Sequence, residues 1–160
     1  MNNLEVDKVH VQKGLAFEQF IVSRFDNSEV SLYNWQGDKS YMNVYPETNK
    51  HPDLVYKINN SGKRDFFAVE CKWRRNDENG IVAFAKGYQL DNYSNFVDKM
   101  RVPLFIVIGL CGKPSAPANL FVIPFKDICN MCSLDITMLR MYQRNKQAKF
   151  YWDEKRRMII

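Results

Sequence analysis

Two acidic residues and a lysine are the most chemically informative part of the chain: Asp53, and then Glu70 and Lys72 on either side of Cys71, at the end of the apolar run Phe66 to Val69. A pair of carboxylates suits a hard divalent cation. Such a cation activates water and neutralises charge on phosphoryl oxygens, and an ammonium group beside the attacking oxygen stabilises the charge that develops there. These are the groups that hydrolysis of a phosphodiester needs. On a strand, side chains alternate between faces, so Glu70 and Lys72 point one way while Val69, Cys71 and Trp73 point the other. Two opposite charges therefore project together from a strand that is otherwise buried.

The neighbouring segments must bring Asp53 to that strand. Asp53 to Ile58 alternates as a strand, Asn59-Asn60-Ser61-Gly62 is a turn, and Asp65 to Trp73 is the next strand. The predicted hairpin places Asp53 across from Glu70. Upstream, Gln12 to Phe25 reads as a helix with Phe17, Phe20, Ile21 and Phe25 in one apolar stripe. Val30 to Trp35 reads as a strand, and the polar stretch Gln36 to His51 as a loop with a frayed strand at Tyr41 to Tyr45. Downstream, Phe84 to Met100 has helical spacing, with Tyr93, Phe96, Val97 and Met100 on its buried face and Pro103 beyond its end. Leu104 to Leu110 is a continuous apolar run, as in a strand covered on both faces. Leu120 to Phe125 is another strand, a helix capped by Ser133 or Asp135 runs to about Arg144, and Phe150 to Trp152 is a last short strand. The order αβββαββα describes an α/β fold, a central mixed sheet flanked by helices.

A chain of 160 residues, 46% hydrophobic and 14% aromatic, is long enough for one buried domain and short for two, so residues 1–160 are read as a single domain. The net charge of +5 fits a polyanionic partner without selecting one. The start lacks the basic and then apolar profile of a signal peptide, and the longest apolar stretch, Val102 to Cys111, is too short to span a bilayer. A cytoplasmic protein without membrane attachment is expected. Cys129 and Cys132 form a CxxC, but with no second CxxC and only His10 and His51 in the chain, free thiols are expected rather than a zinc or redox centre.

Pro52-Asp53 and Glu70-Cys71-Lys72 resemble the PD and ExK motifs of the PD-(D/E)xK nuclease superfamily, whose fold is restriction-endonuclease-like. Glu18 stands where many members carry a further acid, and Gln89 with Tyr93 resembles the QxxxY motif of some branches. The resemblance covers roughly residues 13 to 125 and is nearest to small endonucleases like the archaeal-type Holliday junction resolvases. It implies a Mg²⁺-dependent endodeoxyribonuclease, with Mn²⁺ able to substitute. Asp53, Glu70 and the Cys71 backbone carbonyl would hold the ion, Glu18 would hold a metal-bound water or a second ion, and Lys72 and Gln89 would serve the reaction. The partners implied are DNA and a second copy of the chain in a homodimer.

Each residue also has a plainer role. Glu70 and Lys72 can form a structural ion pair, and Glu18, beside its helix's apolar stripe, can pair with a lysine or arginine. Gln89 can be a hydrogen-bonded core amide. Arg74 and Arg75 follow the acidic strand and are candidates for gripping phosphates, or are a solvated strand end. His51 and Tyr93 are further candidate nucleic-acid contacts. The rival from another class is an inactive nucleic-acid-binding or assembly module of the same fold, which has no need of the acid, acid and lysine set.

Overall fold

The computed structural model describes residues 3–35, 51–59 and 65–160. The expected frayed strand at Tyr41 to Tyr45 and most of the turn at Asn59 to Gly62 lie outside the described residues. Helix α1 is Asn3–Val22, followed by β1 (Val30–Trp35), β2 (Leu54–Ile58), β3 (Phe66–Arg74) and β4 (Ile81–Ala83). Helix α2 (Gly87–Met100) leads into β5 (Leu104–Lys113) and β6 (Ala116–Pro124). The remainder is short: a 3₁₀ turn, β7 (Ser133–Asp135), α3 (Ile136–Arg140), β8 (Gln143–Arg144), β9 (Trp152–Asp153) and β10 (Met158–Ile159).

Six strands form one sheet in the order β1-β2-β3-β5-β6-β8, with β3 and β5 parallel and the other neighbours antiparallel. A parallel pair needs a crossover, which α2 supplies between β3 and β5. The two central strands are covered on both faces, which explains the unbroken apolar run of β5. Phe17 and Ile21 of α1 pack on the face that carries Val69, Phe105 and Val107. On the opposite face, Leu90, Tyr93 and Phe96 of α2 pack with Ala68, Ile106 and Ile108. The alternation expected for β3 is observed, since Val69, Cys71 and Trp73 belong to the α1 face. Gly109 of β5 makes the close approach of α1 possible: a Cβ there would lie 2.5 Å from the Phe17 ring.

Several expectations shift. The first helix starts at Asn3 rather than near Gln12, the second starts at Gly87 rather than Phe84, and Met100 is exposed. Phe84 is buried but belongs to the extended segment after β4, where its N–H donates to the Cys132 carbonyl. Gly112 to Pro117 is not a loop between separate strands but the tight end of the β5–β6 hairpin, with Gly112 at φ 69°. The final helix is a single short turn, in which Asp135 caps Thr137 N–H at 2.7 Å. Tyr142 and Gln143 then leave the helix to meet β6.

Candidate active site

The hairpin register places the acids. Leu54 of β2 pairs with Val69 of β3, so the next step along both chains sets Asp53 across from Glu70. Ala68 N–H points to the β5 side, where it donates to the Pro103 carbonyl. Cys71 therefore directs its N–H and C=O to the other edge, past the end of β2. There the Asp53 carboxylate accepts the Cys71 N–H at 2.7 Å. On the α2 face, Glu70 is only 6% exposed, and among the described residues it is the buried charged side chain of the core. Its Oε1 accepts from Lys72 Nζ at 2.6 Å and from the Tyr93 hydroxyl at 2.8 Å. Lys72 Nζ also lies 6.0 Å from the centre of the Tyr93 ring, within cation–π range.

Glu18 approaches from α1, and its partner is an indole. Trp35 Nε1–H donates to Glu18 Oε2 at 2.7 Å. A β-bulge makes this contact possible: β1 pairs Leu32 with Tyr56 but Asn34 with Val55, so Tyr33 is the extra residue. Without that slip Trp35 would face away from Val30 and Leu32; with it, all three pack on the α1 face. Sequence reasoning missed Trp35 because strict alternation assigns it to the wrong face.

The three carboxylates share one arrangement. Each has one oxygen engaged, by Cys71 N–H, by Lys72 and Tyr93, or by Trp35. The second oxygen of each has no hydrogen-bond partner among the described residues. Burial pushes the Asp53 pKa well above its ordinary value, and the charges of Glu70 and Glu18 add to the rise against the pull of Lys72 and the Cys71 N–H. Burial also raises Glu18, opposed by the Trp35 hydrogen bond. For Lys72, burial acts to lower the pKa, but Glu70 and Asp53 outweigh it and hold the ammonium charged above its ordinary range. Asp53 and Glu18, both raised beside the charge of Glu70 with a single lysine among them, mark a site short of positive charge.

That donor set fits a hard divalent cation. Among the described residues no three acidic, histidine or cysteine side chains close into a ligand cluster. The Cys71 thiol faces the α1 core, and burial pushes its pKa well up, so it is no ligand.

The other sequence candidates are placed differently. Tyr93 is buried and bonds Glu70, so it supports the acid instead of meeting nucleic acid. Gln89 Oε1 accepts the Lys86 N–H at 2.9 Å, closing the start of α2 rather than reaching toward Lys72. Arg74 is a clamp: its guanidinium donates to the carbonyls of Ala83 at 2.6 Å, Trp73 at 3.0 Å and Phe84 at 3.3 Å, tying the end of β3 to β4. Arg75 is exposed. His51 is exposed and meets the Phe96 ring edge-on, 5.9 Å between centroids.

Neither a protein-family model nor a curated protein sequence matches the chain. A solved structure does: Hjc, a Holliday junction resolvase from the archaeal hyperthermophile Archaeoglobus fulgidus. The alignment covers 83% of this chain and 91% of that one, with a TM-score of 0.55 and 13% sequence identity. The fold is restriction-endonuclease-like. The resemblance read from Pro52-Asp53 and Glu70-Cys71-Lys72 thus holds at the level of the fold, and no described helix is long and apolar enough to cross a membrane.

The indole contact has a measurable consequence. Trp35→Phe keeps an aromatic side chain in the α1-face core but removes the N–H together with part of the indole, so the Glu18 carboxylate loses its donor. Unfolding by urea in chelator should show a loss of about 1.5–3 kcal/mol at pH 8, the range for a hydrogen bond to a charged group. The loss should shrink near pH 5, because the missing N–H stabilised the ionised form. An equal loss at both pH values would assign Trp35 to packing alone.

Proposed function

We propose that the protein is a metal-dependent endonuclease that cuts DNA, selective for branched structures such as junctions or flaps. The single observation that carries this reading is the meeting of Asp53, Glu70, Lys72 and the Cys71 backbone at one strand edge, with one oxygen of each carboxylate left without a described partner. Asp53, Glu70 and the Cys71 carbonyl would hold Mg²⁺, with Mn²⁺ as a substitute, and Glu18 would stand as the outer carboxylate. Bound there, the ion supplies Lewis acidity and lowers the pKa of a coordinated water.

The chain's own groups do the rest. Lys72, held charged, stabilises negative charge developing on the phosphoryl group; the charged form is not a base, so this role is favoured over proton abstraction. Tyr93 fixes Glu70 through Oε1 and leaves Oε2 for the ion. Trp35 does the same for Glu18, and exposed Arg75 and His51 remain candidates for flanking phosphates. A homodimer acting in the cytoplasm would place two such sites about a two-fold axis and cut both strands.

The test is a cleavage panel of duplex, single-stranded, flap and four-way-junction DNA in Mg²⁺, with Asp53→Ala as the blank. Branched substrates are expected to be cut first, and Asp53→Ala to cut none. No cleavage of any substrate by the intact protein, or equal cutting by the variant, would leave the inactive binding module as the reading.

A further inference from the structure

Away from the carboxylates, a cleft of about 780 Å³ opens between the end of α2, the start of β5, the segment after β6 and the β9–β10 hairpin. Its walls include Val97, Pro103, Pro124, Phe125 and Met158. Four cations, Arg101, Lys126, Arg156 and Arg157, line it against one carboxylate, Asp98. Two of the four already have acidic partners: Arg157 forms a two-armed pair with Asp65, both contacts 3.2 Å, and Arg156 lies 3.6 Å from Asp153. Arg101 and Lys126 are exposed, and their side chains make neither hydrogen bond nor ion pair among the described residues.

Arg101 is also an unusual choice for its position. It ends α2 in the left-handed conformation, at φ 55° and ψ 37°, with its N–H donating to the Val97 carbonyl. That place strongly favours glycine or asparagine, because a Cβ is crowded there. The backbone bond would survive with glycine, so what arginine adds is its charge over the cleft. Tyr93, which reaches Glu70, sits one and two helical turns before Val97 and Arg101, and Leu104 pairs with Ala68, two residues before Glu70. The cleft is therefore a neighbour of the carboxylate site, separated from it by buried core.

We infer that this cleft is a second nucleic-acid contact, in which Arg101 and Lys126 hold the phosphates of a strand and the apolar wall receives its sugars and bases. The surplus of cations selects a polyanion, and the apolar wall is what a splayed strand, rather than a bare anion, would use. The choice of nucleic acid rests on the nuclease reading above; the contact itself needs no metal.

The test is fluorescence anisotropy in chelator, with a labelled oligonucleotide as single strand and as duplex, and Arg101→Gly/Lys126→Gln compared with the intact chain. Affinity for at least one form should fall about tenfold, and the dependence of log affinity on log salt should lose about two units of slope, one per phosphate contact. The melting temperature should hold or rise, because glycine adopts the Arg101 conformation without strain, and the rise in melting temperature with Mg²⁺ should be unchanged. Unchanged affinity and slope would overturn the inference, as would equal competition by poly-glutamate, which would point to an acidic protein partner. An intact chain that binds neither oligonucleotide would overturn it too. The Mg²⁺-induced rise in melting temperature then judges the carboxylate site separately.

Discussion

Asp53→Asn is expected to abolish Mg²⁺-dependent cleavage, by more than about a thousandfold, while making the metal-free protein more stable at neutral pH. Both effects come from the same charge. Asparagine can still accept the Cys71 N–H through its side-chain oxygen, so the hydrogen bond that positions residue 53 survives. What disappears is a carboxylate whose pKa is raised by burial and then by Glu70 and Glu18. An acid with a folded pKa above its unfolded value, about 3.9, binds its proton more tightly in the native state. Stability in chelator must therefore be highest below about pH 4 as far as this group is concerned, and must be lost as pH rises through the raised value. The asparagine variant lacks that loss. Thermal unfolding in chelator should show a higher midpoint than the natural chain at pH 7, with about 2–4 °C for each kcal/mol recovered, and a flatter dependence on pH. Adding Mg²⁺ should reverse the order, because a cation at 100 times its Kd contributes about 2.7 kcal/mol to the natural chain and much less to the variant. A lower midpoint for the variant in chelator would mean that Asp53 is not charge-strained, and an undiminished response to Mg²⁺ would remove it from the metal site.

Most of what positions Asp53 was legible in the sequence, because hairpins obey local rules. Turn residues after Ile58, the alternating run before them and the apolar run after them fix a register, and the register alone sets Asp53 across from Glu70. The two-faced burial of β5 was equally plain from Leu104 to Leu110. The carboxylates' supports were not legible. Trp35 reaches Glu18 only because one extra residue, Tyr33, reverses the alternation of β1, and nothing in the run Val30 to Trp35 announces a bulge. Gln89 and Arg74 have partners that were illegible for a different reason. Each bonds nearby backbone groups: the first turn of α2 for Gln89, and the carbonyls at and just beyond the end of β4 for Arg74. Polar side chains at element ends are first claimed by such groups. The motif could name the reacting residues but not which of their neighbours had other obligations.

Lys72→Ala is the second variant with a large expected effect, and its effect on the fold differs from that of Asp53→Asn. The ammonium is the ionic partner of Glu70, at 2.6 Å, with both side chains largely shielded from water. Removing it leaves a buried carboxylate held only by the Tyr93 hydroxyl, a loss typically costing about 3–5 kcal/mol. The alanine variant is therefore expected to be inactive and markedly less stable in chelator, and inactivity alone would not identify a chemical role. Metal separates the two. If Asp53 and Glu70 hold a divalent cation, Mg²⁺ restores a positive neighbour to Glu70, so the variant's melting temperature should rise further on adding Mg²⁺ than the natural chain's does. Cleavage should nevertheless remain lost, because the charge that faced the phosphoryl group is gone while the one that binds the ion's ligands has been replaced. Rescue of both stability and cleavage by Mg²⁺ would reduce Lys72 to a counter-ion for Glu70. No added response to Mg²⁺ would mean instead that Glu70 does not bind the ion, and the pair would then be a structural bridge across the α2 face.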